Sequence, residues 1–172
     1  MKILLAIDGS PCSDEAVLEV ARRPWPEDSQ VRIISVVEPP APLVAEPYMG
    51  ISGYFEEVER LKQKQAAGIV EQAAAALREG AGTSLLGVAA EVITGSPKRT
   101  IVEEAEGWGA DLIVVGSHGY HTWERMLLGS VSQSVAAHAL CSVEVVRCRK
   151  ASQESGVRSR ESGSRQVLTL DS

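Results

Sequence analysis

Residues 2–11 read Lys-Ile-Leu-Leu-Ala-Ile-Asp-Gly-Ser-Pro, and this stretch decides the fold. The apolar run stops at Asp8-Gly9-Ser10, so it reads as a buried strand followed by a turn. Ser10 is suited to cap a helix that has Pro11 at its first position. Ala16, Val17, Val20 and Ala21 then form an apolar helical stripe, which Pro24 and Pro26 end.

The same alternation continues downstream. Val31–Val37 reads as a second strand. An irregular loop, rich in Pro and Gly, runs from Glu38 to Gly53. Tyr54–Glu79 has a helical apolar repeat in Val58, Leu61, Gln65, Ile69, Ala73 and Leu77. Val88–Thr94 is a third strand, and Ser96-Pro97 opens a helix expected over Lys98–Glu106, with Ser96 as its cap. Asp111–Val115 is a fourth strand, Ser130–Ala139 a last helix and Val143–Arg147 a fifth strand. Short aliphatic strands between helices predict a doubly wound α/β domain with a five-stranded parallel sheet covered on both faces. Ligands of such sheets bind beyond the carboxyl ends of the strands.

Composition narrows the function classes. Aromatic residues are only 4% of 172, so the core must be aliphatic. Seventeen Lys and Arg against 23 Asp and Glu leave a net charge of −6, which argues against nucleic-acid binding on a basic surface. No apolar run approaches the ~20 residues of a membrane helix, and no leader opens the chain, so a cytoplasmic protein away from membranes is expected. From Arg149 onward, five basic residues stand against three acidic (Glu154, Glu161, Asp171). Between Ser152 and Ser164 the composition is Ser, Gly, Arg, Glu and Gln with one Val, which cannot offset its ordering entropy. The expected organisation is a domain at 1–148 and a disordered tail at 149–172. Cys12, Cys141 and Cys148 form an odd set without a CxxC pair, so they read as three free thiols. Cys12 stands apart, near a helix N-terminus where thiolates are stabilised.

The chemistry lies after the strands. Asp8-Gly9-Ser10 follows the first. Gly116-x-x-Gly119-x9-Gly129-Ser130 follows the fourth. Glycines admit a ligand close to the backbone, and a helix N-terminus presents unpaired N–H groups and partial positive charge. Together they make a cradle for phosphate oxygens. Gly116 and Gly119 would shape the loop over the sugar, and Gly129, Ser130, Val131 and Ser132 would hold the outer phosphates. Asp8 would accept from a ribose hydroxyl or hold Mg²⁺. Each part alone is an ordinary turn or cap.

This constellation resembles the universal stress protein family. The residues that carry the likeness are Lys2 to Ser10, Thr94-Gly95-Ser96-Pro97, Ala110 to Gly119 and Gly129-Ser130-Val131. Their order and spacing run over about residues 1–148, and the complete Gly pattern is the signature of the family's ATP-binding branch. The resemblance implies a Rossmann-like, adenine nucleotide alpha hydrolase-like fold holding ATP, with Mg²⁺ as a companion. By position it implies nucleotide contacts at Ala6, Ile7, Asp8, Val36, Val115, Gly116, Gly119, Gly129, Ser130, Val131 and Ser132, with the Val36 backbone at the adenine edge. It also implies a homodimer through the last strand, Val143–Arg147. Ser142 stands where the family has Pro, and Glu144 interrupts the apolar run. That carboxylate would guard the edge or pair with Arg147 or Arg149 of a partner strand.

Catalysis has little support. There is no GxxxxGK[ST] loop, and no base better placed than His118 or His121. His118 and His121, with Tyr120, Thr122 and Trp123, form a polar-aromatic loop that reads as a lid, the two histidines themselves reading as solvated loop residues, and His138 reads as a satisfied helix-end histidine. The function expected is a stress-response nucleotide-binding regulator with at most slow ATP hydrolysis. The alternatives are a nucleotide-free dimeric scaffold or an adenylating enzyme, whose Ser-Gly-Gly-x-Asp-Ser loop is absent.

Overall fold

A computed structural model of the chain describes residues 1–39, 52–80, 87–119 and 128–148, with side chains in the second helix from Glu56 onward. The elements are β1 (Lys2–Ala6), α1 (Pro11–Arg22), β2 (Gln30–Val37), α2 (Ser52–Glu79), β3 (Gly87–Thr94), α3 (Pro97–Trp108), β4 (Leu112–Gly116), α4 (Ser130–His138) and β5 (Ser142–Val146). The sheet order is β3-β2-β1-β4-β5, and every neighbouring pair is parallel. The chain builds outward from β1 on one side and then from β4 on the other. The switch point therefore falls between β1 and β4, the central pair.

Strand alternation divides the core in two. Ile3 and Leu5 of β1, Val31 and Ile33 of β2, and Val114 of β4 pack against α1 and α2. Leu4 and Ala6, Ile34, and Ile113 and Val115 pack against Ile101 and Ala105 of α3 and Val135 of α4. The largest fully buried side chains are aliphatic, as the few aromatics require. Each such side chain, fully buried, stabilises the fold by about 1.5–3 kcal/mol.

The helix ends refine the sequence reading. Ser10 caps α1 by accepting from the Ser13 amide at 3.4 Å, with Pro11 in the first turn. Ser96 occupies the N-cap position of α3, but its hydroxyl makes no cap bond. α3 passes Glu106 and stops at Gly109, whose φ of 70° is left-handed and whose N–H reaches the Ala105 and Glu106 carbonyls. α2 begins at Ser52, inside the expected loop. Its buried face runs Ala66, Val70, Ala73, Ala74 and Leu77, while Leu61 is 51% exposed. The expected stripe advances by fours from Leu61 to Leu77, and a 3.6-residue turn carries such a row progressively off the core face.

One expectation fails. Cys12 and Cys148 are not free thiols but joined in a disulfide across 136 residues, leaving Cys141 free. Parallel folding of β4 and β5 brings the two sulfurs together, which spacing along the chain does not reveal. Glu144 faces α1 within its own chain: both its oxygens accept from Arg23, each at 2.7 Å. The expected guard role and the expected pairing with Arg147 or Arg149 both concern a partner strand, so this intrachain pair neither meets nor excludes them. The expected tail and most of the Glu38–Gly53 loop lie outside the described residues.

Candidate functional site

The carboxyl ends of β1, β2 and β4 open on a cavity of about 400 Å³. That lies within the ~300–1,000 Å³ common for small-molecule sites. It is lined by every position expected from the sequence. Ala6, Ile7 and Asp8 come from the exit of β1, and Val36 from β2. Val115, Gly116 and Gly119 come from the exit of β4, and Gly129 to Ser132 from the start of α4.

Two loops from distant parts of the chain form the floor. Asp8 Oδ1 accepts from the Ser10 amide at 2.9 Å, which fixes the carboxylate over its own turn. A Cβ placed on Gly119 would lie 2.7 Å from Asp8 Oδ2. Position 119 must therefore lack a side chain for this carboxylate to stand where it does. Gly116 answers a different need, because a Cβ there would lie 2.7 Å from the backbone carbon of Cys12. It lets β4 close against the first turn of α1.

Ser117 is the joint of the second loop. Its N–H donates to the Val146 carbonyl at 2.7 Å, and its carbonyl accepts from the Gly129 N–H at 2.7 Å. The Ser132 hydroxyl lies 3.0 Å from that same carbonyl and 3.0 Å from the Gly129 carbonyl. Its proton is committed to bracing the loop, so Ser132 offers a ligand its amide rather than its O–H. Gly129, not Ser130, is the N-cap of α4, and no side chain caps the helix. The first-turn amides thus face the cavity without an internal side-chain acceptor over them.

Six further lining residues were not in the expected site: Ser13, Ile34, Glu38, Pro97, Ile101 and His118. Ile34 was legible, being two residues from Val36 and so on the same face of β2. Pro97 and Ile101 share one face of α3, a pairing that acquires meaning only once α3 is placed beside β2. With Ile34 and Val36 they make the β2 side of the cavity apolar.

The electrostatics are one-sided. Asp8 and Glu38 are the charged residues among the described lining, and no Lys or Arg is among them. Asp14 lies close enough that burial, and then the charge of Asp8, raises its carboxyl above the ordinary value. The Ser117 hydroxyl lies 3.1 Å from His118 Nδ1. His138 Nδ1 lies 2.8 Å from the Ser134 carbonyl, a partner within its own helix, as expected. Apart from His118, the expected lid, His121 included, falls outside the described residues. No cluster of three or more metal-ligating side chains occurs among the described residues.

Comparison with known proteins follows the same outline. A model of the universal stress protein family matches residues 1–147. The universal stress protein A homolog 2 of Coxiella burnetii is 34% identical over 149 residues, covering 86% of this chain and 95% of its own. The solved structure of the protein MJ0577 superposes with a TM-score of 0.73 at 25% identity, covering 87% of this chain and 97% of that one. A universal stress protein solved in complex with cAMP shares the fold, with a TM-score of 0.60 at 23% identity over 87% and 98% of the two chains.

Proposed function

The chain belongs to the universal stress protein family, and from that membership and the cradle geometry we propose that it binds an adenine nucleotide, ATP foremost, as a stress-response regulatory module. The observation that carries the reading is the meeting of Asp8 with Gly119 below the open first turn of α4. An apolar slot and a polar, amide-rich shelf then lie side by side in one cavity. The occurrence of cAMP in a protein of the same fold supports an adenine ligand.

In this reading adenine enters between Val36 and Ile101, its edge against the β2 backbone. The ribose and first phosphates lie over Val115, Gly116 and Gly119. The outer phosphates take the amides of Ser130, Val131 and Ser132, with Gly129 leaving room. Phosphate oxygens would otherwise face Asp8 and Glu38 with no described cation in the lining. Mg²⁺ shared between Asp8 and the phosphates removes that repulsion, and the hard oxygen donors suit it. Without a bound cation, Asp8 instead accepts from a ribose hydroxyl. The proposed role is binding and its effect on conformation, with hydrolysis slow at most.

The proposed unit is the domain at 1–148, cytoplasmic and homodimeric through β5. That strand is a sheet edge, paired on one side by β4. Both Glu144 oxygens accept from Arg23 within the chain, which supports edge pairing by leaving no unpaired carboxylate on the strand. No helix of the described residues is long and apolar enough to cross a membrane.

Calorimetric titration of the full chain with ATP, with and without Mg²⁺, tests the proposal. Saturable binding strengthened by Mg²⁺ is expected. Absence of heat at millimolar ATP in both conditions would leave the nucleotide-free scaffold as the better reading.

A further inference from the structure

From the pairing of Cys12 with Cys148 we infer that this protein carries a reversible thiol–disulfide site that anchors the exit of β5 beside the loop shaping the cavity. The inference does not depend on nucleotide binding, since it concerns residues behind the cavity and is read without any ligand.

The two Cα atoms lie 4.5 Å apart, within the span that disulfides bridge. The two cysteines differ in setting. Cys12 is 3% exposed in the first turn of α1. Cys148, two residues past β5, is partly exposed. An incoming thiolate therefore reaches the Cys148 sulfur and expels Cys12. The expelled sulfur sits at a helix N-terminus, where amide N–H groups and the helix dipole favour a thiolate. The Ser117 hydroxyl lies 3.6 Å from it, a donor already in place. A stabilised leaving thiolate is the property that separates exchangeable disulfides from inert ones.

The exchange balances with a small disulfide as oxidant. One glutathione disulfide takes two electrons from the two cysteine thiols and becomes two glutathione thiols, and the protein gains one S–S bond. Reduction reverses each step through a mixed disulfide at Cys148.

Ser117 gives this bond a route to the cavity. It touches Cys12 through its hydroxyl, the β5 exit through its N–H to Val146, and Gly129 and Ser132 through its carbonyl. In the oxidised protein the β5 exit is held covalently beside this joint. In the reduced protein it is held by strand pairing and the Ser117 N–H bond to Val146, with no covalent tie.

The test uses the native full chain in buffers of varied reduced and oxidised glutathione. Thiols are trapped by alkylation, and peptides are mapped by mass spectrometry. Cys12 and Cys148 should gain and lose their link reversibly without denaturant. C141S should keep the link and C148S should lose it. Hydrogen exchange on the wild type should show loss of protection at Ser117 and Gly129, whose N–H groups donate to Val146 and Ser117, on reduction. Cys12 and Cys148 remaining thiols in oxidised glutathione would overturn the inference. So would a bond that yields only after unfolding, or unchanged exchange at Ser117 between the two forms. Wild-type mapping decides the question even if C148S does not fold.

Discussion

The hydroxyl of Ser10 donates to the carbonyl of His118 at 3.1 Å, although 108 residues separate them. Ser10 follows β1 and His118 follows β4, the two strands that flank the switch point. One bond thus fastens the carboxylate loop to the glycine loop. It explains how Asp8 comes to rest against Gly119, and why the cavity floor is set before any ligand arrives.

Gly119→Ala should displace the Asp8 carboxylate, since the added carbon would stand 2.7 Å from Asp8 Oδ2. ATP affinity should fall about tenfold, equivalent to about 1.4 kcal/mol. Asp8→Asn should lose most of the Mg²⁺-dependent part of binding. Calorimetry on both variants reads the effect, and wild-type affinity in Gly119→Ala would remove Asp8 from the site.

Gly116→Ala should act on stability rather than on binding alone. Its Cβ would meet the backbone of Cys12 and Ser13 at 2.7–2.9 Å, and backbone cannot swing aside as a side chain does. Overpacking of this kind costs about 1–3 kcal/mol. Urea denaturation measures it, and an unchanged midpoint would show that α1 can move away from β4 freely.

Arg23 and Glu144 form a two-pronged ion pair in which each side chain is about one third exposed (34% and 29%). Glu19 shares the same guanidinium at 2.9 Å. Hydrogen bonds donated to Glu144, and then to Glu19, hold the Arg23 guanidinium well above its ordinary value. Partial exposure limits the gain, so a double-mutant cycle with Ala at 23 and 144 should give a coupling of about 0.5–1 kcal/mol. Raised salt should shrink it.

Asp14 should titrate above an ordinary aspartate, because burial first and Asp8 second disfavour its charge. Ionising it therefore weighs against the folded state. That weight is absent below the unfolded value, grows as pH rises between the unfolded and folded values, and is complete above the latter. Stability should decline with pH across that window. Carboxyl NMR titration should find the Asp14 value lowered in Asp8→Asn, yet still above normal, since burial remains. An unshifted value there would mean that the two carboxylates do not sense each other.

The free thiol of Cys141 should react slowly with iodoacetamide at mildly alkaline pH. Burial is the main cause that holds its proton on, with Asp111 adding to it. A rate equal to that of free cysteine would place Cys141 in water.

Much of this molecule is written locally. The aliphatic runs Ile3–Ile7 and Leu112–Val115 leave no use but burial within a sheet, and Pro11, Pro97 and Gly109 mark helix ends by their own backbone preferences. The Gly116, Gly119 and Gly129 spacing likewise announced a close approach of backbone to something, and each of these residues lines the cavity. Such signals survive because they depend on a residue and its near neighbours.

What the folded chain alone decided are relations between distant residues. The link from Cys12 to Cys148, the grip of Arg23 on Glu144 and the apolar wall of Pro97 and Ile101 beside β2 all arise where parallel strands return to a common edge. Spacing along the chain does not encode them, because each depends on the sheet order and on which face a side chain takes. Local sequence chose the elements; the order β3-β2-β1-β4-β5 chose their neighbours, and with them the chemistry that neighbours can do.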